Sequence, residues 1–121
     1  MQYALLIYEN EVAAANAGPE AMGKVFAAYG ALEGELAPTG KKLGGEALEP
    51  TSTATCVRIR NGDRTVTDGP FAETKEQLGG FYLLDCANMD EALDWAAKIP
   101  TAKTGTIEIR PVMDVSALMN G

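Results

Sequence analysis

Residues 80–112, GFYLLDCANMDEALDWAAKIPTAKTGTIEIRPV, decide the reading of the fold. Gly80–Cys86 is a short apolar run of strand formers bounded by turn residues, and reads as a strand. Asn88, with Glu91 three positions later, resembles a capping box and opens a helix. Met89, Ala92, Trp95, Ala96 and Ile99 then form the inward stripe of that helix until Pro100 stops it. Gly105–Val112 reads as a strand in which Ile107 and Ile109 alternate with Thr106, Glu108 and Arg110, so one of its faces is polar. Together these segments make one β-α-β unit.

The N-terminal half repeats the order. Gln2–Tyr8 (QYALLIY) is too short for an ordinary helix and reads as a buried, central strand. Pro19 and Glu20 suit the start of a helix in which Met22, Val25, Phe26, Tyr29, Leu32 and Leu36 define one face, with Pro38 and Gly40 ending it. Val12–Gly18 and Gly34–Gly45 read as ordinary connections. Lys41–Leu48 leads into a short strand whose Gly44-Gly45 pair predicts a bulge or bend at a sheet edge.

Between the halves, Asn61-Gly62 suits the two positive-φ sites of a type I′ turn, joining Ala54–Arg60 to Asp63–Thr67 as a hairpin. The turn fixes the pairing: Arg60 opposite Asp63, Arg58 opposite Thr65, Val57 opposite Val66, and Cys56 opposite Thr67. Val57, Ile59 and Val66 are expected on the core face and Cys56, Arg58 and Arg60 on the other. The whole order predicts an α+β, ferredoxin-like sandwich with an additional β-hairpin, both helices lying on one face of a mainly antiparallel sheet. No helix covers the opposite face, where Phe81 or Tyr82, Leu83 or Leu84, and residues of the first strand place apolar area. That exposure predicts a homodimer closing sheet against sheet, with a cleft between protomers. The domain is expected to span residues 1–113, leaving 114–121 as a mobile tail.

Composition narrows the chemistry. The 121 residues hold ten Lys and Arg against seventeen Asp and Glu, a net charge of −7, and no histidine. A His-based triad is excluded, and the commonest metal ligand is absent. The acidic balance disfavours direct binding to nucleic acid or anionic membrane. No apolar run approaches the roughly eighteen residues that span a bilayer, and no signal-like segment opens the chain, so a cytoplasmic protein is expected. Cys56 and Cys86 lie outside any C-x-x-C and read as buried thiols, or as a redox pair if neighbouring strands join them. Only carboxylates such as Glu9, Glu46 and Asp68 remain for a cation, without calcium-loop spacing, and no phosphate-binding glycine loop is present. Neither metal nor cofactor is expected.

The run Asp68–Gly80, DGPFAETKEQLGG, closely resembles the hallmark of the DGPF-type branch of the YCII-related family. The resemblance extends from Tyr3–Tyr8 through Gly44–Leu48 to Ala92–Ile99 and Glu108–Pro111. It implies a ferredoxin-like dimeric α/β barrel and supplies no reaction, because the branch is biochemically uncharacterised. Many of its members are encoded beside, or fused to, extracytoplasmic-function sigma factors. Related YCII proteins carry a His and Asp pair proposed as an active site. Counting back from Gly40, Tyr29 stands at the His position in this chain and Asp68 corresponds loosely to the Asp; with no histidine, the dyad chemistry does not carry over as it stands.

The candidate catalytic residues are Asp68 and Glu73 of the loop, and Tyr29 for its hydroxyl. Asp68 serves either as acid/base or as the acceptor of an Asx-turn. Phe71, Lys75 and Gln77 of the same run are candidate ligand contacts, against the alternative of a solvated loop with a local Glu73–Lys75 pair. Arg58, Glu108 and Arg110 are expected on the sheet face away from the helices, where they either grip a small anionic or polar molecule or pair with one another. Two functions stand side by side: a small-molecule enzyme or binding protein with its site near the DGPF loop, and a regulatory dimer contacting a sigma factor. A fold-completing role for the loop is the third. Whether the protein is an enzyme is open at the level of sequence.

Overall fold

A computed structural model describes residues 1–119. Its first strand, β1 (Gln2–Glu9), shows strict alternation: Tyr3, Leu5 and Ile7 are buried, while Ala4, Leu6 and Tyr8 are half-buried. This strand is central, as its apolar run predicts. It pairs antiparallel with the long strand Gln77–Asp85 on one side and with Thr106–Pro111 on the other. Lys42–Ala47, the second strand in chain order (β2), pairs antiparallel with the far edge of Gln77–Asp85. Two further strands, β3 (Thr55–Arg60) and β4 (Asp63–Asp68), form a separate two-stranded sheet. Gln77–Asp85 is then β5 and Thr106–Pro111 is β6, and the main sheet runs β2-β5-β1-β6.

Two short helices and two longer ones accompany the strands: α1 (Glu11–Asn16), α2 (Pro19–Leu36), α3 (Met89–Lys98) and α4 (Val115–Met119). Leu32 and Leu36 of α2, with Ala92 and Ala96 of α3, share one core with Tyr3, Leu5, Ile7, Tyr82 and Leu84. Both long helices therefore lie on the same side of an antiparallel sheet, which makes this an α+β fold of β-α-β-β-α-β order with the hairpin inserted after β2. Asn88 caps α3, its Oδ1 accepting from the Glu91 N–H at 3.0 Å. The Glu91 carboxylate reaches back to the Ala87 N–H at 3.4 Å, one residue before the position a strict capping box would use. Met89, expected on the inward stripe, is exposed in the first turn.

The other sheet face carries Ala4 and Leu6 of β1 beside Phe81 and Leu83 of β5, all half-buried. This resolves the ambiguous pairs of the sequence: Tyr82 and Leu84 enter the core, and Phe81 and Leu83 face away. No helix among the described residues is long and apolar enough to cross a membrane.

Three expectations are corrected. The connection at Val12–Gly18 contains α1, whose Asn10 side chain accepts from Ala13 N–H at 2.9 Å; Asn followed by Glu and alanines was its signal. The α2 stripe is inward only in its C-terminal half, since Met22, Val25 and Phe26 are exposed. A 3.6-residue period defines a face without supplying something to pack against it. The hairpin register matches every pairing read from the turn, and Asn61 (φ 53°) and Gly62 (φ 82°) take the positive angles the turn requires. Its Val57, Ile59 and Val66 are nonetheless exposed rather than in the core. Turn chemistry fixes which residues pair, while docking of the finished hairpin depends on distant surfaces. Within the expected tail, Val115–Met119 is helical, with Asp114 Oδ1 accepting from the Ser116 hydroxyl and the Ala117 N–H. Positions 120 and 121 of the expected mobile tail lie outside the described residues.

Candidate functional site

A cavity of about 430 Å³ opens between the outer half of α2 and the β2–β5–β1 part of the sheet. Its existence follows from the residues that line it. Gly45, Gly79 and Gly80 contribute no side chains, so α2 meets no filling opposite Val25, Phe26 and Tyr29. Polar groups converge on this apolar frame: Glu9, Tyr29, Glu33, Lys42, Tyr82 and Thr101.

Their contacts are specific. The Tyr29 hydroxyl and the Oγ1 of buried Thr101 share a hydrogen bond of 2.7 Å. Burial holds the Tyr29 phenol above its ordinary pKa against the opposing Thr101 hydrogen bond, and the nearby Glu9 charge adds to the rise. Tyr82 is raised further, first by burial and then by the Glu33 carboxylate beside it. Both tyrosines therefore keep their protons near neutral pH and act as donors. Lys42 Nζ reaches the two Glu33 oxygens at 2.9 and 3.1 Å and lies 5.3 Å from the centre of the Tyr82 ring. The ammonium hydrogen bond draws the Glu33 pKa below its usual value. Glu9 and Glu46 enter no ion pair among the described residues.

Of the candidate catalytic and ligand-contact residues, Tyr29 alone lines this cavity; Glu9 and Glu46, noted in the sequence only as carboxylates open to a cation, line it too. Asp68 ends β4 opposite Thr55 and is exposed, and its carboxylate has no hydrogen-bond partner among the described residues. Glu73 and Lys75 are exposed and do not pair with each other, and Phe71 is 79% exposed. Gln77 is held in the scaffold: its Oε1 accepts from Glu11 N–H at 3.0 Å and its Nε2 donates to the Thr74 carbonyl at 2.6 Å. Glu76 accepts from Thr106 at 2.8 Å, so the end of the DGPF run is tied to β6. Glu108 and Arg110 do occupy the face away from the helices, with Glu108 accepting from the Tyr8 hydroxyl at 3.3 Å. Arg58 belongs to the separate hairpin and is not on that sheet face, because β3 never joins the main sheet. Cys56 and Cys86 are free thiols on different parts of the chain; Cys86 is buried, which pushes its pKa up. Among the described residues no three His, Cys, Asp or Glu side chains gather as a metal-binding group.

Sequence reasoning missed Glu33, Lys42 and Thr101. Thr101 follows Pro100 in a 3₁₀ turn and gives no signal of its own. Glu33 and Lys42 become neighbours only when the turn at Gly40, in the left-handed conformation, folds β2 back along α2.

These features define an α+β domain with a polar-lined cleft beneath one helix. The chain belongs to the YCII-related domain family, whose pattern it matches over residues 1–116. It is also 42% identical over 114 residues to an uncharacterized protein, R00369, of Rhizobium meliloti (strain 1021), an alignment covering 93% of this chain and 92% of that protein.

Proposed function

We propose that this protein binds a small polar molecule in the α2–β2–β5 cleft, and that it does so as a homodimer of the dimeric α/β barrel kind expected of the DGPF branch. The observation that carries the reading is the convergence of two protonated tyrosine hydroxyls, an ordered Glu33–Lys42 pair and the unpaired Glu9 carboxylate on one apolar-walled cavity. Tyr29 and Tyr82 donate hydrogen bonds to ligand oxygens, Glu9 accepts from a ligand N–H or O–H, and Val25 and Phe26 cover the apolar body. Glu9, Glu33 and Glu46 against Lys42 leave the cleft negative, so the ligand is uncharged or cationic rather than anionic. Asp68 and Glu73 take no part in this site. If the ligand is transformed, Glu9 is the proton acceptor within reach of the cavity and Tyr29 the donor.

The test is a thermal-shift screen of small amines and uncharged hydroxylated aromatics. A ligand at a hundredfold excess over its Kd adds about 2.7 kcal/mol, roughly a 10 °C rise for a chain of this size. Tyr29→Phe and Glu9→Gln are each expected to remove most of that rise relative to their own unliganded melting points. A screen without any stabilising compound, or a rise that survives both substitutions, contradicts the assignment.

A further inference from the structure

The hairpin β3–β4 poses a physical problem. Every strand residue in it except Cys56 is exposed, and no other element packs extensively against it. An isolated two-stranded hairpin is marginal in water. Its register sorts its side chains sharply: Val57 lies opposite Val66 and Ile59 opposite Arg64, so three β-branched apolar groups and one guanidinium share a face. Val57, Ile59 and Val66 are 60%, 66% and 54% exposed. Arg58 and Arg60 occupy the reverse face. Three of the chain's four arginines thus stand on this one hairpin of a protein with net charge −7.

A matching surface exists on the same chain. Met22, Val25 and Phe26 follow at i, i+3 and i+4 on α2 and form an exposed apolar strip, of which Val25 and Phe26 line the cleft. Glu9 and Glu46 line that cleft without an ion-pair partner among the described residues. We propose that the β3–β4 hairpin is an arm by which one copy of the chain closes the cleft of a second copy, seating Val57, Ile59 and Val66 on Met22, Val25 and Phe26 and placing Arg64 over Glu46. The occupant is a second copy because both halves of the complementary contact are carried by one sequence, and a two-fold pair makes the contact twice. Placing cations on the acidic wall also offsets the repulsion that two chains of charge −7 meet on approach. The cleft is then completed by the partner, whose arm excludes water from the outer end of the cavity. The proposal shares the cleft with the reading above but requires neither its ligand nor contact through the open sheet face.

Site-directed cross-linking tests it without a ligand. In a Cys56→Ser background, one tagged population carries Ile59→Cys and a differently tagged one carries Phe26→Cys; the two are mixed and mildly oxidised. A mixed disulfide well above that of either population alone is the expected result. Arg64→Glu in the first population lowers its yield about tenfold, and Glu46→Arg in the second restores it. Val66→Cys, on the same face of the hairpin, repeats the experiment should Ile59→Cys fail to fold. Mixed cross-links no more abundant than same-population ones, or single-chain mass in sedimentation at the concentrations used, overturn the arm. The ligand screen reports on the cleft separately, so loss of one result leaves the other readable.

Discussion

Gly105→Ala is expected to cost about 3 kcal/mol of folding stability, at the upper end of what overpacking a well-fitted interior does. Gly105 immediately precedes β6, one residue past the turn at Pro100–Lys103, and its N–H donates to the Thr101 carbonyl at 2.7 Å. A methyl group there would run into the Tyr8 carbonyl oxygen and come within 3.1 Å of the Thr101 methyl. The Tyr8 obstacle is backbone of the central strand, next to the Tyr8–Thr106 pair that starts the β1–β6 ladder. Relief requires either parting the two strands or displacing Thr101, and displacing Thr101 breaks its bond to Tyr29. The loss therefore has two readouts: a lower urea midpoint at unchanged m-value, and a weaker ligand response from the cleft. Gly30→Ala is the internal control, since nothing lies within 4 Å of the added carbon and the helix interior gains about 1 kcal/mol from alanine. The two substitutions are therefore expected to act with opposite sign; a loss under about 1 kcal/mol at Gly105 would falsify the close-approach argument.

Local chemistry accounts for how much of the fold the sequence discloses. The hairpin register was legible because Asn61 and Gly62 impose the turn by themselves, and the placement of β1 was legible because its run is apolar on both faces. α3 was legible from Asn88 and from Ala92 and Ala96 recurring at helical spacing. Packing between elements was not legible. Val57 and Ile59 look like core residues in any local window, and only the absence of an opposing surface leaves them in solvent. The outer half of α2 fails to dock for a related reason: the glycines facing it belong to strands some fifteen to fifty positions away. The site follows the same rule. Tyr29 was reached through resemblance, whereas Glu33 and Lys42 carry no motif and meet through a left-handed turn at Gly40. Asp68, Glu73 and Lys75 are the conspicuous members of the DGPF run, yet the side chains of that segment that make hydrogen bonds are Thr74, Glu76 and Gln77, which anchor it to α1, β6 and its own backbone.

Leu6→Lys is expected to leave the chain folded and abolish the proposed sheet-to-sheet dimer. Leu6 sits mid-way along β1 on the face without helices, opposite Phe81 on one neighbour and Glu108 on the other. With Ala4 and Leu83 it forms the apolar centre of that face, bordered by Tyr8, Glu108 and Arg110. In a single chain a lysine at position 6 lies directly across from Glu108, and an opposite-charge cross-strand pair contributes a few tenths of a kcal/mol that offset the lost leucine contacts. Its melting point should stay within a few degrees of the parent. In a sheet-to-sheet pair the two-fold axis brings both lysines into the buried centre together, where desolvation and like charge act on each. The dimer dissociation constant should rise by about a hundredfold or more, enough to turn a dimer at micromolar concentration into single chains in sedimentation equilibrium. Dimer mass retained by Leu6→Lys would move the interface off this face and leave the hairpin arm as the contact that holds the pair. Single-chain mass in the unsubstituted protein would remove both, and with them any role for a partner in enclosing the cleft.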